Sequence, residues 1–198
     1  MQSSILVLYY SQNGSVRALA RQLARGIESQ GAVAVLRTVP KVSAICEATA
    51  PEVPTEGAPY ASEADLRQCI GLAVGSPSRF GNMAAALKYF WDGTIALWQN
   101  GDLVGKPATV FASSSSMHGG NEATLLSMLP PLLHHGMLIV GLPYSEVDLH
   151  TTQTGGTPYG VTHVSGAGDE IQPDPQEARL AFAQGKRLAQ IALRLAQH

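Results

Sequence analysis

Apolar residues run without a break from Ile5 to Tyr10, in a segment rich in β-formers and with no alternation of polar positions. A strand of that kind is buried on both faces, which points to a parallel sheet covered by helices. The period then changes: Val16, Leu19, Ala20, Leu23 and Ile27 recur at helical spacing, and Gly31 supplies a stop. Ala32–Val39 predicts a second strand, and Gly71–Gly75, led in by Cys69 and Ile70, a third. Before it lies a short helix whose Ser62-x-x-Asp65 has the form of a capping box. Asn82 is the expected cap of the next helix, with Met83, Leu87, Phe90 and Trp91 on one face. Ala108–Ser113 is the fourth strand. A further helix starts near Asn121, with Leu125, Leu126, Leu129, Leu132 and Leu133 as its buried positions, and Pro130-Pro131 predicts a kink or break in it. A fifth strand begins at Met137. The Gly- and Pro-containing stretch Pro143–Gly160 separates it from a second β-like piece, Val161–Ser165. The last helix opens with Asp174 as cap, Pro175 at its first position and Glu177 closing the box, then runs through Leu188, Ile191, Ala192 and Leu195.

Strands alternating with helices make an α/β fold, and right-handed crossovers leave few arrangements. The expected one is flavodoxin-like: a doubly wound five-stranded parallel sheet in the order 2-1-3-4-5, helices on both faces, with a split fifth strand. Residues 1–198 read as a single domain. Pro40–Ala61 and Pro143–Gly160 exceed the ~12 to 15 residues of a plain connection, and such loops cover sites or interfaces.

Composition narrows the function. Charged residues are only 14% of the 198, against a typical ~25%. Thirteen Lys and Arg against fifteen Asp and Glu leave a net charge of −2, too weak a field to hold nucleic acid or an anionic membrane. Low charge with 20 glycines points instead to surface covered by other subunits. No apolar run reaches the ~18 residues of a membrane span, and the opening residues lack a basic region and cleavage site, so a cytoplasmic protein is expected. Cys46 and Cys69 cannot frame a metal site and read as ordinary thiols.

In a doubly wound sheet, ligands sit outside the carboxyl ends of the strands, so the loops after strands one, three and four should converge. After strand one, Ser11, Gln12, Asn13, Gly14 and Ser15 lead into the helix at Val16. Hydroxyls, an amide and unpaired helix N–H groups there suit an anion such as a phosphate. The alternative is structural, with Asn13-Gly14 a turn and Ser15 a cap. The G-x-G-x-x-G fingerprint is absent and strand two ends in Thr38 and Val39 with no acid, which disfavours a dinucleotide domain. Gly105-Lys106 is followed by Pro107, so there is no phosphate loop of the NTPase type. Ser11 and Ser76 stand where a phospho-acceptor receiver needs acids. After strand three come Pro77, Ser78, Arg79, Phe80, Gly81 and Asn82, bringing a tight turn, a cation and an aromatic ring together. This loop can line one edge of a flat ring; the structural alternative puts Phe80 in the core. The third loop, Ser113, Ser114, Ser115 and on to Gly119, offers hydroxyls, amides and His118.

These loops, in this order, resemble the WrbA family of flavodoxin-like NAD(P)H:quinone oxidoreductases over nearly the whole chain. The likeness is carried by Leu6-Val-Leu-Tyr-Tyr-Ser11, Pro77-x-Arg-Phe-Gly-Asn82, Leu97-Trp98, His134-His-Gly-Met137 and Gly155-Gly-Thr-Pro-Tyr-Gly160. The resemblance implies that Ser11–Val16 hold the phosphate of FMN. Pro77–Asn82 with Ser113–Gly119 would embrace the isoalloxazine, His135 would contact a flavin from a neighbouring subunit, and Trp98 would wall the quinone pocket. It also implies NAD(P)H as co-substrate, no catalytic side chain beyond the cofactor, and a homotetramer with shared active sites. Two departures stand out: Asn13 replaces a common aromatic residue, and Ser114-Ser-Ser-Met-His118 is poorer in glycine than usual. Nicotinamide preference and flavin affinity are the properties these departures touch. A flavodoxin-type electron carrier or an FMN-binding scaffold would use the same fold; carriers usually present a strongly acidic face, unlike a chain of net charge −2.

Overall fold

Strand β1 (Ser4–Tyr9) is buried on both sides, with Leu6 and Leu8 in one core and Ile5, Val7 and Tyr9 in the other. A computed structural model gives the chain's architecture and describes residues 3–43, 53–168 and 170–197. Cys46 and part of the first long loop lie outside these residues. After β1 come α1 (Ser15–Glu28), β2 (Val33–Thr38), α2 (Glu63–Gln68), β3 (Gly71–Pro77), α3 (Ala85–Asp92) and α4 (Ile95–Asn100). They are followed by β4 (Pro107–Ser114), α5 (Asn121–His134), β5 (Leu138–Ile139), α6 (Asp148–Thr151), β6 (Val161–Val164) and α7 (Pro175–Leu195).

All pairings are parallel and the order is β2-β1-β3-β4-β5, as the sequence predicts. The split fifth strand is resolved by register. Pro107 and Ala108 pair with Leu138 and Ile139, while Phe111–Ser114 pair with Val161–Val164. Since β3 takes the other edge of β4, β5 and β6 lie end to end on one edge. The buried Gln184 amide ties the second piece to β4: its oxygen accepts from Val161 N at 2.6 Å and its nitrogen donates to Val110 O at 2.9 Å.

Helices cover both faces. Leu66 of α2, Leu87 and Trp91 of α3, and Leu125, Met128 and Leu132 of α5 fill one core. Helices α1 and α7 fill the other, and they touch backbone to backbone. A Cβ on Gly26 would lie 2.0 Å from Phe182 O, and one on Gly185 2.1 Å from Leu23 O. Both predicted capping boxes form, Ser62 with Asp65 and Asp174 with Glu177.

Three helical expectations are corrected. Helix α5 runs unbroken through Pro130 and Pro131. The two missing N–H groups fall toward its C-terminal end, and core packing of Leu125, Met128 and Leu132 holds the helix on either side of them. Leu126 and Leu133, expected inside, form an outward stripe seven residues apart and are exposed. Asn82 is not the cap of α3, whose N-cap is Ala84 without a side-chain bond. Ala84 N donates instead to the buried Ser76 Oγ at 2.8 Å, and Asn82 Oδ1 takes Met83 N at 2.8 Å.

Candidate active site

The three loops after β1, β3 and β4 meet at one end of the sheet. Ser11 Oγ accepts from Gly14 N at 3.1 Å and from Arg17 N at 3.3 Å, reaching across the turn to the first turn of α1. Gly14, at φ 102°, is the N-cap and Ser15 the first helical residue, so Ser15 is not the cap. Among the described residues the N–H groups of Ser15 and Val16 have no partner. They lie at the positive end of a 14-residue helix.

After β3, Arg79 and Asn82 exchange backbone bonds at 2.9 and 3.1 Å, leaving Phe80 and Gly81 as a two-residue turn. Both have positive φ, 54° and 75°, the signature of a type I′ turn. Phe80 is the only non-glycine at positive φ among the described residues, and its ring is fully exposed, not in the core. Arg79 Nη2 donates to Gln12 Oε1 at 2.9 Å, tying this turn to the first loop. Ser78 ties it to the third: its N donates to Ser113 O at 2.7 Å and its Oγ to Gly119 O at 2.8 Å.

Together these loops enclose a cleft of about 170 Å³ lined by Ser11, Gln12, Asn13, Ser15, Val16, Pro77, Ser78, Arg79, Phe80, Ser113, Ser114, Ser115 and Gly119. Gly14 faces an adjoining recess beside Tyr9 and Arg17, and Gly81 lines neither. Ser165 lines the cleft and was missed by sequence reasoning. Its N–H donates to Ser114 O at 2.9 Å, so registering the second β-like piece against β4 is the signal that would have found it. Among the described residues Arg79 is the one charged residue that lines the cleft.

Trp98 and His135 lie elsewhere, in an apolar cavity of about 890 Å³ that shares only Arg79 with the cleft and also contains Asn82. Within the chain the two line one cavity. Met83, Trp91, Thr94, Ile95 and Pro130 complete its wall. His135 Nε2 is 3.0 Å from Thr94 Oγ1. Two buried polar atoms of this wall, His135 Nδ1 and Trp91 Nε1, have no partner among the described residues. Burial, and then the neighbouring His134, hold the His135 imidazole below its ordinary pKa. Trp91 and Thr94 carried no functional expectation. Among the described residues no metal-binding cluster occurs, and no helix is long and apolar enough to cross a membrane.

Hydroxyls, free helix N–H groups and, among the described residues, a lining without carboxylates suit the cleft to a phosphate monoester. The adjoining aromatic-walled cavity suits a flat ring system. The FMN phosphate therefore fits the donors of the cleft, and the neighbouring cavity is left for a planar substrate.

Residues 3–151 match the NADPH-dependent FMN reductase family. The NAD(P)H dehydrogenase (quinone) of Rhizobium rhizogenes is 39% identical over 197 residues, covering 98% of each chain. That of Solidesulfovibrio magneticus is 38% identical over 201 residues, covering 97% of this chain and 98% of the relative. Among solved structures, a WrbA-like flavodoxin from Agrobacterium tumefaciens superposes with a TM-score of 0.67 at 21% identity, covering 98% of this chain and 99% of its own. Oxidised flavodoxin 1 from Bacillus cereus gives 0.62 at 16% identity, covering 95% and 98%. At those identities the two structures speak to the fold alone. With a family match over most of its length and relatives near 40% identity end to end, the chain belongs to the NADPH-dependent FMN reductase family and is built on the flavodoxin fold.

Proposed function

We propose that this protein is an FMN-dependent NAD(P)H:quinone oxidoreductase of the WrbA type. The observation that carries the reading is the junction of a hydroxyl-lined cleft with an aromatic-walled cavity at Arg79. FMN, when bound, supplies two-electron transfer between a nicotinamide and a quinone. The chain's own residues bind and orient. Ser11–Val16 present hydroxyls and helix N–H groups to the phosphate, while Pro77–Asn82 and Ser113–Gly119 flank the ring. Arg79 places a permanent positive charge where the two spaces meet, favouring negative charge that develops there. Trp98 offers an indole face to a planar quinone, and His135 bounds the same space.

In this reading residues 1–198 act as one flavodoxin-like FMN-binding domain in the cytoplasm, assembled as a homotetramer with shared active sites. Support for assembly comes from the exposed apolar residues Tyr89, Ile95, Val104, Leu133 and Leu138 on or near α3 to β5. An absorbance spectrum with and without added FMN, followed by steady-state NAD(P)H oxidation with benzoquinone, tests the function. Flavin uptake with quinone-dependent turnover is the expected result. Uptake without turnover would make the protein a carrier, and no uptake would overturn the reading.

A further inference from the structure

Apart from the two cavities, the described residues contain one fully buried ion pair. His163 of β6 and Glu177 of α7 are each about 98% or more buried, with Nδ1 2.6 Å from Oε2. The carboxylate accepts three further N–H groups: Gly155 at 2.8 Å and Val164 at 3.1 Å on Oε1, and Asp174 at 3.0 Å on Oε2. Four donors favour its ionised form. The other ring nitrogen, Nε2, lies 2.8 Å from the backbone oxygen of Glu170, which can only accept. Both ring nitrogens therefore donate, and His163 is an imidazolium.

What it holds is the segment after β6. Ser165 N donates to Ser114 O and Glu170 N donates to Ser165 O, each at 2.9 Å, and the Glu170 carbonyl is then taken by His163. The next residue, Ile171, puts its Cγ2 3.1 Å from where a Cβ on Gly14 would stand. The Glu177 carboxylate is thus linked through His163 and Glu170 to Ile171, which stands beside the turn ahead of α1.

We propose that His163 is a positioning residue: anchored on Glu177, it seats Ser165 against Ser114 and Ile171 beside Gly14, and so sets how tightly the Ser11–Ser15 turn holds phosphate. The inference rests on reading this turn as the FMN phosphate site. Burial acts to lower the His163 pKa, but the bonds to Glu177 and Glu170 and the charges of Glu177 and Asp174 outweigh it and hold it above the ordinary value. Those two carboxylates are the charged groups acting on the ring; β4 presents Ser113 opposite it. A neutral ring has one N–H for two acceptors, so the hold weakens as pH rises.

His163→Gln, Ile171→Ala and the double variant test this, with FMN fluorescence quenching for affinity and amide hydrogen exchange at Gly14–Arg17 in flavin-free protein. Each single change should raise the FMN Kd roughly 2- to 30-fold. Exchange at the turn should quicken, and the double variant should lose less than the product of the singles. Wild type should lose affinity as pH rises through the His163 titration, a step His163→Gln lacks, while titration of FMN itself is common to both. Folded single variants with wild-type Kd and wild-type exchange would overturn the proposal. Should His163→Gln fail to fold, Ile171→Ala decides it by the same two readouts. If wild type takes up no FMN, the phosphate reading falls, and exchange in the flavin-free proteins still decides whether His163 orders the turn.

Discussion

Thr94 and His135 fix each other's protons. The Thr94 hydroxyl donates to Trp91 O at 2.7 Å, so at its 3.0 Å contact with His135 Nε2 it can only accept. The imidazole therefore carries its proton on Nε2 and turns a bare lone pair, Nδ1, toward the unpartnered side of its surroundings.

That tautomer gives a pH prediction. The folded pKa of His135 is lowered by burial and then by His134, so below the unfolded value of about 6.5 the unfolded chain binds more protons. The contribution of His135 should hold above about pH 6.5 and be lost as pH falls through its folded pKa. Nitrogen-15 NMR should show a neutral Nε2–H ring at neutral pH, and Thr94→Val should cost about 1 kcal/mol in denaturant unfolding.

His163 should behave oppositely. Its folded pKa is raised, so its stabilisation is complete below the unfolded value of about 6.5 and is lost as pH rises through the folded pKa. Glu177→Gln leaves a buried cation facing a neutral amide, a loss on the order of 3–5 kcal/mol. Urea midpoints for wild type and variant should differ most at mildly acidic pH and converge as pH rises.

Phe80 gives a test in which stability and binding part company. A phenylalanine at φ 54° bears a left-handed cost of about 1–2 kcal/mol that glycine does not. Phe80→Gly should raise the thermal midpoint of the flavin-free protein while weakening FMN binding, because the exposed ring at the cleft is gone. An unchanged FMN Kd in calorimetry would detach Phe80 from the site.

The phosphate and quinone ends can be damaged separately. Ser15→Glu sets a carboxylate at a helix N-terminus proposed to hold a dianion and should weaken FMN binding by a factor of about 10 or more. Trp98→Ala, in the other cavity, should leave FMN bound and reduce quinone turnover. Wild-type quinone kinetics for Trp98→Ala would move the substrate elsewhere.

Light scattering at micromolar concentration with FMN present should report a tetramer. A charge at Leu133, on the outward stripe of α5, should shift the distribution toward smaller species. Monomer alone in the wild type would refute the assembly.

What the sequence made legible was whatever is decided locally. β1 reads as a doubly buried strand because its run has no polar position, and both capping boxes read from spacing alone. Convergence of the three loops follows from the topology once the strands are placed. Asn82 misled because its partners, Arg79 and Met83, and the Ser76 hydroxyl that serves Ala84, meet only in the folded turn. Pro130 misled because a rule for isolated helices yields to core packing. Ser165 and the His163–Glu177 pair needed the register of β6 on β4, which no short-range pattern carries.

The glycine contact between α1 and α7 makes the two helices mechanically one body. With backbone against backbone at Gly26 and Gly185, no side-chain layer remains to absorb sliding or rolling of one helix on the other. A displacement at the turn ahead of α1 must therefore be carried by α7, whose sequence lies wholly beyond the residues matched to the family. A label on the outer face of that last helix is expected to report such a displacement from outside the cleft.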